Sequence, residues 1–341
     1  MIRAMFALPH AVFAHPHLPI LLIIGIAIFV GSLGARVFQR LRIPQVVGYI
    51  AIGLLLGKPG LNVIEPESIQ ALRYFNFFAL GVIGFMIGGE LHLEVFRKHG
   101  RRLLVTLLTE GLGAFLLVGL AIGAATYAIT GQAGLSAAMG LVLGAIAAAT
   151  APAATVDVLW EYKTRGPLTT AVFAIVALDD GLALVLYGIA VSIAAKLTGG
   201  SGSLLVSLGH TLYELLGAVA IGVASGVGLN ALVRRMRDPD HSLTLIIGAL
   251  GIVIGLSVML DIDLILAAMA LGMTVANLAP RRSRESFEIV ERFAPPIYVL
   301  FFVVVGARLD VGGMTCLLYT SPSPRDRSAY RVCRLLLEKG G

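Results

Sequence analysis

Hydrophobic positions in this chain come in long, nearly unbroken runs, and the polar positions between them are crowded into short stretches rich in Arg, Lys, Pro and Gly. The hydrocarbon core of a bilayer is about 30 Å thick and is crossed by about 20 apolar residues of helix. Runs of that order predict ten transmembrane helices, near 18–38, 43–57, 70–90, 102–129, 134–160, 167–196, 204–233, 242–260, 262–279 and 287–309. An all-α polytopic membrane protein follows, with residues 1–17 as a tail ahead of the first span.

The placement of Lys and Arg tests that count, because cytoplasmic connections are enriched in positive charge. Odd-numbered connections carry Arg36, Arg40 and Arg42; Arg97, Lys98, Arg101 and Arg102; Lys163 and Arg165; Arg234, Arg235 and Arg237; and Arg281, Arg282 and Arg284. Even-numbered connections offer Lys58, Arg73 and Lys196, an asymmetry of fifteen to three. The expected arrangement is multi-pass in a cell membrane, of the bacterial inner-membrane kind, with the N-terminus outside and the odd connections inside.

Composition agrees: 57% of residues are hydrophobic and 13% charged, and the mean hydropathy of +0.90 lies outside the soluble globular range. From Cys316 the character changes abruptly, to Ser-Pro-Ser-Pro-Arg-Asp and a short basic end. That string resembles the translation of a sequencing-library adapter, so residues 316–341 are set apart from the fold. Both cysteines, Cys316 and Cys333, fall there, which leaves 18–315 without a disulfide or a thiolate metal site. Without that tail the basic count falls from 26 to 21, the acidic count from 20 to 18, and the net charge from +6 to +3. The high isoelectric point is then no argument for nucleic acid, and none is expected as a partner. His10, His15 and His17 have no carboxylate or thiolate beside them and read as part of a solvated tail. A signal-like reading of Met5 to Ala14 is short and interrupted by Pro9.

Candidate chemistry begins with Asp179 and Asp180, adjacent in the apolar run from Pro167 to Ala195. A carboxylate at the bilayer centre costs about 3 kcal/mol even on lenient insertion scales, so it persists where it meets a cavity, a counter-charge or an ion. At 1.5 Å per residue the pair lies roughly 20 Å along its helix from Pro167, near mid-membrane. Neighbouring helix positions point about 100° apart, so the two carboxylates are expected to divide their roles: one faces a cavity, the other a protein partner.

The preceding run is interrupted by Thr150-Ala151-Pro152. Pro152 has no N–H, so the carbonyl of Ala148 is expected to lose its usual partner. Freed carbonyls, a threonine hydroxyl and half-helix dipoles are tolerated at membrane depth where they line a polar cavity. A proline alone would give only a kink. Beside paired aspartates, Ala148, Thr150, Ala151 and Pro152 read instead as a broken helix next to an oxygen-ligand site for a small cation.

These segments, with three others, carry a resemblance to the sodium/hydrogen exchanger superfamily of monovalent cation:proton antiporters, in its paired-aspartate branch. Ile43 to Gly57 is similar to that family's second helix, and Phe85 to Leu91 to the end of its third. Ala149 to Pro152 is similar to its broken helix, Leu178 to Asp180 to its ion-binding helix, and Phe301 to Leu309 to a later segment. The resemblance spans 18–312 in order. It implies an inverted-repeat fold normally having about thirteen helices, so 18–315 would be an antiporter domain incomplete at its C-terminus, and no transport is expected of the chain as it stands. It implies that Asp180 binds the transported cation, Na+ or K+, or a proton; that Asp179 pairs with a lysine on a later helix; and that Thr150 contributes near the ion. It implies a homodimer in contact with membrane lipid, and no cofactor. Relatives often have a polar or acidic residue where this chain has Ala151, which leaves ion preference open.

Two alternatives accompany the antiporter: a potassium efflux channel-like relative, and an intramembrane aspartyl protease. The protease needs its two acids on separate helices across one water, which adjacent residues fit poorly. Glu110, Asp157 and Glu214 lie within or near helix ends and are expected to snorkel or bond locally. Asp261 and Asp263, in a very short connection, are expected to be solvated. Arg308 reads as a helix-end or interfacial arginine and not as the partner of Asp179.

Overall fold

The computed structural model describes residues 18–150, 152–199, 204–233, 239–278 and 280–309. The N-terminal tail, Ala151, Asp310 and everything after it, including the proposed adapter segment, lie outside the described residues.

Prolines and glycines punctuate the chain where the apolar runs break. The helices are α1 (Ile20–Arg40), α2 (Gln45–Leu56), α3 (Pro66–Ala71), α4 (Arg73–Glu90), α5 (Leu93–Thr130), α6 (Ala133–Ala147) and α7 (Pro152–Glu161). They continue with α8 (Pro167–Leu197), α9 (Leu204–Val233), α10 (Pro239–Leu260), α11 (Leu264–Leu278), α12 (Pro280–Phe293) and α13 (Pro295–Ala307). Pro44 precedes α2 and Gly57 follows it, while α5 stops at Gly131, whose φ of 66° is the left-handed cap that glycine adopts without strain.

Each of the ten predicted runs holds helix. By length and composition alone, however, five helices qualify as membrane spans, or six if Phe287–Phe293 and Pro295–Ala307, bent by 51°, form one. The difference lies in short elements. Helices α2, α6 and α11 have 12, 15 and 15 residues, or about 18 to 23 Å at 1.5 Å per residue, less than the hydrocarbon thickness. In the other direction, α5 starts well before the predicted 102. Arg97, Lys98, Arg101 and Arg102 are good helix formers and extend the helix past its apolar stretch.

Two compact units divide the chain. Among the described residues, the first comprises 18–73 together with 298–309, and the second lies within Tyr74–Ile297. In the first, α1 packs on α2, and close approach is a matter of missing side chains. A Cβ on Gly53 would strike the carbonyl oxygen of Val303, and one on Gly306 that of Ile50. Tyr49 stacks on Phe302 with ring centroids 6.4 Å apart.

In the second unit, α5 lies along α6, α6 and α9 flank α8, and α9 lies along α11. Small residues let these backbones meet, as is common between membrane helices. A Cβ on Gly88 of α4 would collide with the carbonyl of Met269 of α11, and one on Gly272 of α11 with the carbonyl of Phe85. Phe85 also stacks on Phe287 of α12, with centroids 4.7 Å apart.

Because backbone cannot yield as a flexible side chain does, Gly88→Val and Gly272→Val should each destabilise the second unit by about 1–3 kcal/mol. A thermal melt in detergent should show both variants unfolding several degrees early. Melting temperatures equal to that of the unsubstituted protein would refute this account of α4 against α11.

Candidate functional site

Helix α8 opens with Pro167 at its first turn, after Gly166 at φ 131°. Proline suits that position, where its missing N–H has no helical partner to lose. Asp179 follows twelve residues later, about 18 Å along the axis. It is fully buried, with 0% exposure, whereas Asp180 is half-buried. A single step along the helix thus gives the two acids different surroundings, as the 100° rotation between neighbours requires.

The partner of Asp179 is the break in the neighbouring span. Helix α6 ends at Ala147, and Ala148 caps it by sharing its N–H between the carbonyls of Gly144 and Ala145, at 3.2 Å each. The N–H of Ala149 still reaches Ile146 O at 3.3 Å. At Thr150 the ladder stops. Its N–H donates to Asp179 Oδ2 at 2.7 Å, and its hydroxyl donates to the same oxygen at 2.6 Å. Helix α7 then starts at Pro152, placing the positive end of its dipole on the side of the carboxylate, where an anion is favoured.

The other oxygen, Asp179 Oδ1, is buried and has no hydrogen-bond partner among the described residues. It faces α5 where that helix has Gly111: a Cβ there would come within 3.9 Å of Oδ1 and within 2.6 Å of Leu182 Cδ2. A glycine at this point leaves room beside the carboxylate.

The structure therefore brings Asp179, Thr150 and the α6–α7 break together. The sequence led us to expect Thr150 near the ion held by Asp180, but both of its donors serve Asp179. Ala148 is buried at the end of α6, Pro152 opens α7, and Ala151 lies outside the described residues. Of the other acids, Glu214 pairs locally with His210 at 2.9 Å, Glu110 is exposed and Asp157 is half-buried on α7. No group of three or more His, Cys, Asp or Glu side chains that could hold a metal ion occurs among the described residues.

One expectation needs correction. Asp261 is exposed as expected, but Asp263 is half-buried. Its Oδ1 accepts the N–H of Leu266 at 2.6 Å, capping the first turn of α11. The connection is held against α9, where the Tyr213 hydroxyl donates to Leu260 O at 3.2 Å and a Cβ on Gly217 would lie 3.2 Å from Ile262 Cγ2. The sequence signal was the length of α11: a 15-residue helix is too short for both of its ends to reach the bilayer surfaces.

Comparison with known proteins agrees with these observations. The family model for the transmembrane sodium/hydrogen exchanger matches residues 22–321, so the chain belongs to the sodium/hydrogen exchanger family. The match continues a little beyond Thr315, where the sequence suggested a boundary. Among curated relatives, the ammonium/proton antiporter subunit AmhT of Alkalihalophilus pseudofirmus is 28% identical over 294 residues, covering 85% of this chain and 69% of that protein. The chloroplastic K+ efflux antiporter 2 of Arabidopsis thaliana is 27% identical over 279 residues, 78% of this chain and 22% of that protein. The chain thus spans about a fifth to two thirds of these relatives. The solved structure of the sodium proton antiporter MjNhaP1 from Methanocaldococcus jannaschii shares the fold, with a TM-score of 0.62 at 19% identity, covering 88% of this chain and 74% of that one. The family and this neighbour are transporters.

A hydrogen bond to a charged group contributes about 1.5–3 kcal/mol. Thr150→Val should therefore lower the melting temperature in detergent, whereas Thr150→Ser, which keeps the hydroxyl, should stay near the unsubstituted value. Equal melting of the valine and serine variants would show that the hydroxyl does not hold Asp179.

Proposed function

We propose that the protein is a secondary active transporter that exchanges a monovalent cation, Na+ or K+, for protons by competition at the carboxylate of Asp180. The observation that carries this reading is the division of labour on α8. Asp179 is buried and anchored to the unwound Thr150, while Asp180, one residue on and turned about 100° away, is half-buried and outside that bond. An acid so placed can be neutralised either by a proton or by a small cation.

Coupling follows from that choice. A bare carboxylate is expensive to carry through a low-dielectric barrier, and the protonated or cation-loaded form is far less so. If only the neutralised site passes between inward-open and outward-open states, a site that carries a cation one way returns loaded with a proton, so cation movement is coupled to proton movement in the opposite direction. Lys163 and Arg165 before α8, with the other basic connections, support an N-terminus on the outside of a bacterial inner membrane.

The unpartnered Asp179 Oδ1 beside Gly111 supports the further reading that a lysine not among the described residues pairs there. A homodimer and a boundary of the natural chain near Thr315 belong to the same proposal. The named relatives are an ammonium/proton antiporter subunit, a K+ efflux antiporter and a sodium proton antiporter, which supports the class of substrate rather than one ion.

The full-length protein in membrane vesicles should collapse an imposed proton gradient when Na+ or K+ is added, and Asp180→Asn should abolish the response. Exchange at the unsubstituted rate in that variant would exclude Asp180 as the carrier.

A further inference from the structure

The turn that ends α4 is held from a distant helix. Asn277, near the end of α11, donates through Nδ2 to Leu91 O at 2.8 Å and accepts the N–H of Leu93 on Oδ1 at 2.9 Å. The same Nδ2 also donates to Met273 O at 2.7 Å, within its own helix. His92, at the N-cap of α5, makes no side-chain cap, so Asn277 supplies one from outside. On the other side of the turn, Gly89 lets Phe287 of α12 lie against the chain, because a Cβ there would collide with its ring. Glu90 stands between these contacts, at an exposed position. Its place is therefore set by α11 and α12.

Facing it is the end of the half-helix α7. The last carbonyls of that helix are closed by its own chain, with Val158 O accepting from Tyr162 N–H at 3.1 Å, Leu159 O from Thr164 and Trp160 O from Lys163, both at 3.0 Å. Trp160, in this capped end, packs on the buried ring of Phe173 of α8, with centroids 6.3 Å apart. Its indole N–H donates to the carboxylate of Glu90, as a half-buried indole needs a partner. The charged groups around Glu90 are His92 on its own turn, Arg165 after α7 and Glu291 of α12. Helix α7 has only 10 residues, about 15 Å of length. Its other end begins two residues after Thr150, at the bond to Asp179.

We propose that Glu90 and Trp160 are positioning residues for exchange: their bond fixes the far end of α7 against α4 and so keeps its near end at Thr150 and Asp179. This rests on the exchange reading above and adds two residues outside the ion site. An N–H bonds an ionised carboxylate more strongly than a neutral acid. The tether therefore tightens when Glu90 is ionised and slackens when it takes up a proton from the side of the basic connections.

The test compares Trp160→Phe, Glu90→Gln and the double variant in the full-length protein. Phenylalanine keeps a ring against Phe173 without the N–H, and glutamine keeps an acceptor without the charge. Trp160 is the one tryptophan of this sequence, and subtracting the emission of Trp160→Phe isolates its fluorescence. That fluorescence should shift as the pH is lowered in the unsubstituted protein and stay constant in Glu90→Gln, which retains His92. In vesicles at about pH 8, where an exposed carboxylate is ionised, each single variant should exchange about tenfold more slowly, the scale of one charge-assisted hydrogen bond. The double variant should be no slower than either, and the loss in Glu90→Gln should shrink as the pH falls. Fluorescence that titrates equally in Glu90→Gln, or unsubstituted rates in both single variants, overturns this proposal and leaves the Asp180 reading standing. A double variant whose loss is the product of the two single losses does the same. Early melting of every variant, with a loss equal at every pH, also overturns it, because the pair would then serve the fold alone. No exchange by the unsubstituted protein overturns both readings.

Discussion

The bond from Thr150 to Asp179 is the constraint on which the site depends. A helix that stops in an apolar layer leaves backbone N–H groups without partners, and a carboxylate in the same layer leaves oxygens without donors. Either alone is costly where water is scarce. Here each resolves part of the other's cost: the N–H and the hydroxyl of Thr150 converge on Asp179 Oδ2 at 2.7 and 2.6 Å. The break in one helix and the charge in the next are a single feature of the fold.

That arrangement needs backbones to come close, and the chain supplies small residues where they do. Gly111 leaves space at the face of Asp179, Gly181 brings α8 to α9, and the Gly88 and Gly272 contacts lock α4 to α11. The same economy of side chains sets the height of the α10–α11 connection, because Gly217 admits Ile262 against α9. Packing by small residues is thus what seats the α10–α11 connection against α9. Without it the connection would have no reason to lie below the end of α9.

Much of this was legible in the sequence, for reasons specific to membranes. Long apolar runs have no other stable home, so the positions of the helices followed from hydropathy, and the Asp179–Asp180 pair stood out because charge is rare there. Thr150-Ala151-Pro152 marked the break because proline cannot continue a helical ladder. Periodicity and composition say nothing of which acid a threonine reaches, since Asp179 and Asp180 differ by one residue and only the rotation of α8 chooses between them. Asp263 was misread for a related cause. A short polar connection looks solvated unless the lengths of its flanking helices are compared, and α11, at 15 residues, is too short for its start and its end both to reach the surface. The predicted start of α5 failed differently, because Arg and Lys end an apolar run without ending a helix.

The central claim is that a cation and a proton exclude one another at Asp180 because Asp179 is already engaged. Proton release on cation binding measures that directly, by calorimetry of the purified full-length protein in buffers of different ionisation enthalpy. The account predicts that saturating Na+ or K+ displaces protons from the unsubstituted protein, and that this displacement vanishes in Asp180→Asn. Cation binding with no proton release, or release undiminished in that variant, would contradict it.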